Sequence, residues 1–209
     1  MDKKQLYIEK TLHLFLQKGI KNVTMSEVTQ ALNVSSKTLY KMFDGKTGLV
    51  LTCIRLHKYQ MSEMAQRIID EKDENVLDAI ISIHDAFLGE VVQIDPAYFN
   101  DIAFYYPEIW ETESYFDFKY TKGLMMRGIK QGLFHKNLDV ELAVDTIVLL
   151  IRAMIEHKDL QGKYKQNYEP LYNSMLLPYL KGLCTMHGLQ KLREYHKAKL
   201  QAARKAEAI

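Results

Sequence analysis

Residues 24–43 read TMSEVTQALNVSSKTLYKMF, and this stretch decides the fold prediction. Thr24 is followed three residues later by Glu27, which is the spacing of a capping box, so a helix is predicted to begin after Thr24. Asn33 ends that helix early, because asparagine tolerates the left-handed conformation that a tight turn needs. Ser35 then caps a second helix, which ends at the last residue of the stretch. Two short helices joined by a tight turn are therefore expected.

The second of these helices, predicted from Ser36 to Phe43, has an apolar side and a polar side. At helical spacing Leu39 and Phe43 face inward, together with apolar residues of the preceding helix and turn. A helix-turn-helix needs this division, because its second helix must pack on a scaffold while its other face enters the major groove of DNA. The outward side chains that could contact DNA are those of Ser35, Ser36, Lys37, Thr38, Tyr40 and Lys41.

Two further residues are predicted to contact the phosphate backbone. Thr24 and Lys46 each stand at the beginning of a predicted helix. Helix N-termini attract phosphate through their unpaired N–H groups. We therefore assign both residues to the DNA backbone.

The rest of the chain predicts an all-α protein of nine helices. Good helix formers dominate, and no segment alternates apolar and polar residues as a strand would. The predicted helices beyond the helix-turn-helix cover 3–18, a long helix from 46, 76–91, a helix from 96, 107–131, a helix capped by Asp139, and 169–187 with a kink at Pro178. A basic, helix-prone tail follows from Gln190.

The charge of the chain is unevenly distributed. Residues 1–50 contain eight lysines and four acidic residues, a net charge of +4, whereas the whole chain carries +2. A basic N-terminal segment on a near-neutral body fits polyanion binding, and a solubilising surface explains the charge equally well.

Cysteine content and hydropathy bear on the compartment. Cys53 and Cys184 form neither a disulfide framework nor a zinc pattern. The apolar run near 147–155 is interrupted by Arg152 and is too short to span a bilayer, and no signal peptide is recognised. We therefore expect a cytoplasmic protein that does not enter a membrane.

The N-terminal residues resemble the DNA-binding domain of the TetR family of transcriptional regulators. The resemblance covers about residues 6–50 and rests on the following run: Gly19 to Met25, Val28, Val34, Ser35, Thr38, Leu39, Tyr40, Phe43, Lys46 and Leu49. Positions that depart from the family pattern are Thr29, Asn33, Lys37, Met42 and Gly45. None of these departures removes the ability to bind DNA, but they leave the target sequence open.

The resemblance implies a TetR-like architecture with a DNA-binding domain at 1–48 and a ligand-binding and dimerisation domain at 49–209. It places Thr24, Tyr40 and Lys46 on phosphate, and it places nearest to base edges Ser36, Lys37, Thr38 and Lys41. It also implies a homodimer on double-stranded DNA with a palindromic operator, and repression released by a small ligand.

Two apolar helices of the body, the one capped by Asp139 and the one at 169–187, are the candidate dimer interface. They are apolar nearly all round, so each must be buried on two sides. A central core helix or paired helices of a dimer would satisfy this, and the resemblance favours the dimer. The candidate interface residues are Ile147, Ile151, Met154, Leu176, Tyr179, Leu180 and Leu183.

An aromatic segment marks the candidate ligand pocket, which suits an apolar or aromatic ligand. The candidate lining residues are Met61, Met64, His84, Phe87, Phe104, Tyr105, Trp110, Tyr115 and Phe116. Most of these side chains could equally fill a core, and His84 on an apolar stripe fits a core histidine better than a ligand-binding group.

An enzyme and a protein-interaction module are the competing function classes. The sequence contains no phosphate-binding glycine loop, no zinc-protease pattern and no nucleophile elbow, so we expect no catalytic residues, no metal and no cofactor. A helical interaction module without DNA binding would explain the apolar helices. It would not explain the basic, capped helix-turn-helix.

Overall fold

A computed structural model of the 209-residue chain describes residues 2–72, 75–111, 119–156 and 162–206. These residues form helices and contain no strand, only one isolated antiparallel bridge between Phe134 and Cys184. The all-α prediction is confirmed. Within the described ranges, no helix is long and apolar enough to cross a membrane.

The described helices are named in chain order. They are α1 (Lys3–Lys18), α2 (Met25–Leu32), α3 (Ser36–Phe43), α4 (Gly45–Glu71), α5 (Val76–Val91), α6 (Pro96–Tyr105), α7 (Pro107–Glu111), α8 (Lys119–Lys130), α9 (Val140–Glu156), α10 (Glu169–Leu171), α11 (Leu177–Leu183) and α12 (Met186–Ala206), with a π-helical turn at Tyr172–Leu176 between α10 and α11. The first three helices and α5 have the predicted bounds, and α4 begins one residue before Lys46. The Asp139 carboxylate accepts a hydrogen bond from the backbone N–H of Leu142, which confirms the predicted cap of α9.

Within the segment 107–131, which was predicted as a single helix, the structure describes α7 (Pro107–Glu111) and α8 (Lys119–Lys130). Residues 112–118, which include the pocket candidates Tyr115 and Phe116, lie outside the described residues.

The predicted helix 169–187 is wrong in its end, whereas the disturbance expected at Pro178 is present as a π-helical turn just before that residue. Pro178 has no N–H to donate to the preceding turn, and that turn, Tyr172–Leu176, is π-helical. Cys184 then has an extended backbone and pairs with Phe134, so α11 ends at Leu183. The tail from Gln190 belongs to α12. That helix begins where the Thr185 hydroxyl accepts a hydrogen bond from the N–H of Gly188.

The chain forms two compact units, each with its own core. The first unit comprises Met1–Met64, Glu90–Asp117 and Ala153–Lys165, and the second comprises Ala65–Gly89, Phe118–Arg152 and Gln166–Ile209. The largest fully buried side chains of the first unit are Phe15, Leu39, Leu49, Ile54, Tyr98, Phe99 and Ile102, and those of the second are Leu77, Ile80, Ile81, Leu88 and Phe134. The first unit therefore joins the helix-turn-helix to α6 in one core.

Gly19 is the point of closest approach between α1 and α6. It ends α1 with φ of +80°, a conformation that side chains other than glycine rarely adopt. A Cβ at this position would lie 2.6 Å from the Cβ of Ala97. Beside this contact the N–H of Asp95 donates to the carbonyl of Leu16 at 2.8 Å. A side chain at position 19 would therefore push α6 away from α1.

Replacing Gly19 with alanine is expected to lower the free energy of unfolding by about 2 kcal/mol, because it adds both backbone strain and a steric overlap. Urea unfolding followed by circular dichroism measures this change. Gly123, exposed within α8, is the matched control, because no described atom lies within 4 Å of an added Cβ. Gly123→Ala is expected to raise the free energy of unfolding by up to about 1 kcal/mol. Equal effects of the two substitutions would contradict the assigned contact.

Candidate nucleic-acid interface

The beginning of α2 is fixed by a complete capping box. The Thr24 hydroxyl accepts the N–H of Glu27 at 3.1 Å, and the Glu27 carboxylate accepts the N–H of Thr24 at 3.3 Å. Lys18 forms an ion pair with Glu27 at 2.7 Å. This lysine and the Thr24 N–H lower the pKa of the Glu27 carboxyl group. The predicted box is therefore present, and it holds Thr24 exposed at the first turn of α2.

Asn33 makes the turn between α2 and α3. Its backbone is left-handed, with φ of 53° and ψ of 50°, as the sequence predicted. The following N–H, that of Val34, donates to the carbonyl of Thr29 and closes the end of α2. Thr29, one of the departures from the family pattern, directs its hydroxyl to the carbonyl of Ser26 within the same helix. The tight turn therefore forms without the glycine that the family usually places there.

Helix α3 has the division into two faces that the sequence predicted. Leu39 and Phe43 are buried, whereas Tyr40 is 51% exposed. The Ser35 hydroxyl caps the helix by accepting the N–H of Thr38 at 3.1 Å, and it also bonds the Thr38 hydroxyl at 2.8 Å. The exposed polar face contains Ser35, Ser36, Lys37, Thr38, Tyr40 and Lys41. The structure thus brings these six predicted residues together on one surface of the first unit.

The turn from α3 to α4 is tighter than the sequence indicated. Asp44 and Gly45 both have positive φ, of 53° and 83°. Gly48, in the first turn of α4, lies so close to the carbonyl of Phe43 that a Cβ there would overlap it. The role of Gly48 was not predicted from the sequence. The only feature that could have indicated a close approach there is the presence of a glycine within a helical pattern. This close approach fixes the first turn of α4, which carries Lys46, against the end of α3.

Lys46 is half-buried at the start of α4. Burial lowers the pKa of its ammonium group, and the negative charge of Asp101 partly opposes that effect. Asp101 lies on α6 and was also missed from the sequence. Its carboxylate accepts the backbone N–H of Lys21 at 2.7 Å. An acidic residue on α6 therefore reaches two parts of the helix-turn-helix.

The ligand-pocket candidates are distributed over both units. Met61 and Met64 are half-buried on α4 in the first unit, and Trp110 is buried there on α7, whereas Phe104 is 76% and Tyr105 45% exposed on α6. His84 and Phe87 are buried on α5 in the second unit. Phe104 and Tyr105 thus face solvent in the described chain.

Two buried histidines are neutral at physiological pH. Burial lowers the pKa of His84 to about 4, and the Nε2 atom of His84 has no hydrogen-bond partner among the described residues. His57, which the sequence did not single out as a site residue, lies beside Tyr98 with 3.3 Å between its Nδ1 and the tyrosine hydroxyl. Burial lowers the pKa of His57 to about 4 as well.

The dimer-interface candidates are mostly buried within the single chain. Ile147, Ile151, Met154, Leu176 and Leu180 are buried, and Tyr179 and Leu183 are half-buried. The Tyr179 hydroxyl donates to the carbonyl of Ala143, which joins α11 to α9. The apolar side chains that α9 presents to solvent are instead those of Leu142 and Leu149, which are 64% and 63% exposed.

A search for metal-binding geometry gave no candidate. In the described ranges, no three or more side chains of histidine, cysteine, aspartate or glutamate converge in a way that could hold a metal ion.

Solved structures with a similar fold are transcriptional regulators. FadR from Bacillus subtilis in complex with stearoyl-CoA matches with a TM-score of 0.64 at 18% identity, over 86% of this chain and 98% of that chain. The reduced form of NemR from E. coli matches with a TM-score of 0.64 at 16% identity, over 88% of this chain and 98% of that one. A TetR transcriptional regulator from Agrobacterium tumefaciens has a TM-score of 0.60 at 19% identity, over 91% and 98% of the two chains.

Sequence comparison leads to the same group of proteins. The chain is 23% identical over 164 residues to the uncharacterized HTH-type transcriptional regulator YdeS of Bacillus subtilis (strain 168). The aligned region covers 72% of this chain and 78% of that protein. The family model of the bacterial regulatory proteins of the tetR family matches residues 8–53, the segment that contains the capped α2, the Asn33 turn and the exposed face of α3. Residues 8–53 therefore belong to the DNA-binding domain of the tetR family of bacterial regulatory proteins, and the chain is a transcriptional regulator with an N-terminal DNA-binding domain.

Proposed function

We propose that this regulator is a ligand-responsive repressor that binds a roughly palindromic operator as a homodimer. The observation that carries the proposal is the polar face of α3, which stands exposed over the buried Leu39 and Phe43. We further propose that residues 1–48 are the DNA-binding domain and residues 49–209 the ligand-binding and dimerisation domain. Two α3 helices related by a two-fold axis would enter successive major grooves, which is the reason for a palindromic site.

The proposed DNA contacts fall into two groups: contacts to phosphate that position the protein, and contacts to base edges that read the sequence. Thr24, Tyr40 and Lys46 would bind phosphate, because Thr24 and Lys46 stand at helix N-termini and Tyr40 is exposed on α3. Lys37 and Lys41 would lie nearest to base edges, where lysine pairs with the acceptors of guanine. Ser35, Ser36 and Thr38 would add hydroxyl contacts at the beginning of α3.

The exposed side of α9 supports a dimer. Leu142 and Leu149 are seven residues apart, so they share one helix face, and each leaves more than half of its side chain exposed. We propose that these two leucines contact the partner subunit. The buried candidates, such as Ile147 and Ile151, would then support the interface from within the chain.

A ligand site in the body is supported by polar atoms that lack partners. The second unit buries His84 Nε2, Thr121 Oγ1 and the Tyr172 hydroxyl, and none of these has a hydrogen-bond partner among the described residues. Unpaired buried polar atoms are costly, and a bound molecule could satisfy them. The FadR structure with stearoyl-CoA shows a protein of similar fold in complex with a ligand that contains a long apolar acyl chain. An apolar or aromatic effector with a polar group is the proposed ligand class.

Substitution Lys46→Ala tests the phosphate contact. Loss of a phosphate-bound lysine should weaken binding to every duplex and lower the slope of log K against log salt by about one unit for each bound protomer. Fluorescence anisotropy with a labelled 30-base-pair duplex, titrated at several salt concentrations, measures both quantities. Lys136→Ala is the control, because Lys136 is exposed in the second unit. An unchanged slope for Lys46→Ala would remove this residue from the phosphate contacts.

Substitution Leu149→Asp tests the dimer. A carboxylate at the centre of an apolar contact would have to be desolvated, so the variant is expected to sediment as a monomer and to bind DNA at least about tenfold more weakly. Analytical ultracentrifugation and the same duplex titration measure these effects. Met186→Asp is the control, because Met186 is a large exposed apolar residue on another helix, α12. If Leu149→Asp still sediments as a dimer at the wild-type concentration, α9 is not the interface.

A further inference from the structure

Helix α6 contacts the chain on both sides of the helix-turn-helix. On the entry side, the Asp101 carboxylate accepts the backbone N–H of Lys21 at 2.7 Å, three residues before the cap of α2. On the exit side, the side chain of Thr47, the residue after Lys46, lies close enough to Tyr106 to oppose the rise that burial causes in the pKa of the Tyr106 hydroxyl. Helices α2 and α3 lie in the sequence between these two contacts. One short segment, 101–106, therefore connects both ends of the DNA-binding element within the first unit.

The position of Asp101 is fixed by the packing beneath it. Ala97 lies one helical turn earlier on the same face of α6, directly against Gly19. The hydrogen bond from Asp95 to Leu16 fixes the start of α6 against the last turn of α1. A Cβ on Gly19 would also lie 3.1 Å from the Asp101 carboxylate. Because the two helices approach this closely, the carboxylate has little freedom to leave the N–H of Lys21.

The Lys21 N–H needs this acceptor. Lys21 follows the end of α1 and precedes α2, so it has no helical carbonyl to bond within its own segment. The same carboxylate acts on the Lys46 ammonium group, whose pKa it raises against the opposing effect of burial. Asp101 thus serves as a hydrogen-bond acceptor at the entry of the helix-turn-helix and as a negative charge near its exit.

We propose that Asp101 is a positioning residue for DNA binding, whose carboxylate holds the Lys21 turn so that Thr24 and Lys46 meet the phosphate backbone in a fixed geometry. The inference rests on the proposed phosphate contacts of those two residues. Asp101 itself touches no DNA. Its effect is on the placement of the groups that do, and a small displacement of a helix start is enough to misplace a phosphate contact.

Two substitutions of Asp101 separate the effect of its hydrogen bond with Lys21 from the effect of its negative charge. Asp101→Asn retains an oxygen that can accept the Lys21 N–H and removes the negative charge facing Lys46. Asp101→Ala removes both, and alanine is a strong helix former, so α6 is expected to remain folded. Asn100→Ala is the matched control, because Asn100 is the exposed neighbour on the same helix.

The test measures DNA affinity and the protection of one amide in the same full-length variants. Asp101→Ala is expected to bind the labelled 30-base-pair duplex about fivefold more weakly, with a salt slope that falls by less than the unit expected for Lys46→Ala, because Lys46 is displaced from the phosphate but not removed. Asp101→Asn is expected to bind as tightly as wild type, or up to about threefold more tightly because a charge opposing phosphate has gone. Asn100→Ala is expected to match wild type.

Hydrogen exchange of the Lys21 amide, followed by NMR without DNA, gives an independent readout. Exchange is expected to accelerate at least about tenfold in Asp101→Ala and to stay near the wild-type rate in Asp101→Asn. If Asp101→Ala loses helicity by circular dichroism, Asp101→Leu takes its place, because leucine is close to aspartate in size and has no hydrogen-bond acceptor, and the same effects are expected. Wild-type affinity of the alanine or leucine variant would overturn the proposal, and so would an asparagine variant as weak as the alanine variant.

Failure of the proposed function would look different. In that case the wild-type chain itself would not bind the duplex at low salt. The Lys21 turn would then have no phosphate contact to position, and the proposed role of Asp101 would be overturned together with the proposed function. If wild type binds the duplex and both Asp101 variants bind it equally well, the inference alone is overturned.

Discussion

Leu39 and Phe43 pack into the core of the first unit, and the direction of every side chain that we propose to meet DNA depends on this contact. Both residues are buried, and they lie one turn apart on α3. Because one face of this eight-residue helix is buried, the opposite face points to solvent. The left-handed turn at Asn33 and the cap at Ser35 set where the helix begins, and Gly48 sets how closely α4 follows it. The DNA-binding face is therefore a consequence of packing.

The parts of this arrangement that depend on local chemistry were predictable from the sequence. Thr24 and Glu27 predict their capping box by spacing alone, and Asn33 predicts its conformation by residue type. Asp101 was not predictable, because its partner Lys21 is eighty residues away in the chain and the bond uses a backbone N–H, which leaves no trace in the residue types. Gly48 was missed for a similar reason. Its role is defined by the carbonyl of Phe43 that approaches it, and the sequence does not record that approach.

Long-range packing also explains the differences in the body. The sequence showed that α9 and α11 are apolar nearly all round but could not show which side faces the chain's own core. The structure buries Ile147 and Ile151 and exposes Leu142 and Leu149, so the proposed contact with a partner moves to the other face of α9. The break after Leu183 arises from the pairing of Cys184 with Phe134, a contact between segments fifty residues apart. The π-helical turn before Pro178, by contrast, lies where a proline was expected to disturb the helix.

The central claim is that the outward face of α3 reads DNA sequence. Selection of bound duplexes from a random-sequence pool, carried out with the wild-type chain and with Lys37→Ala, tests it most directly. We predict that wild type enriches an inverted repeat whose half-sites lie about 10 base pairs apart, or a multiple of that distance, and that Lys37→Ala relaxes the preference at one position of each half-site. An enriched site that is identical for both proteins would contradict the assignment of Lys37 to the bases. A wild-type pool with no enriched sequence would contradict the claim that this face reads sequence at all.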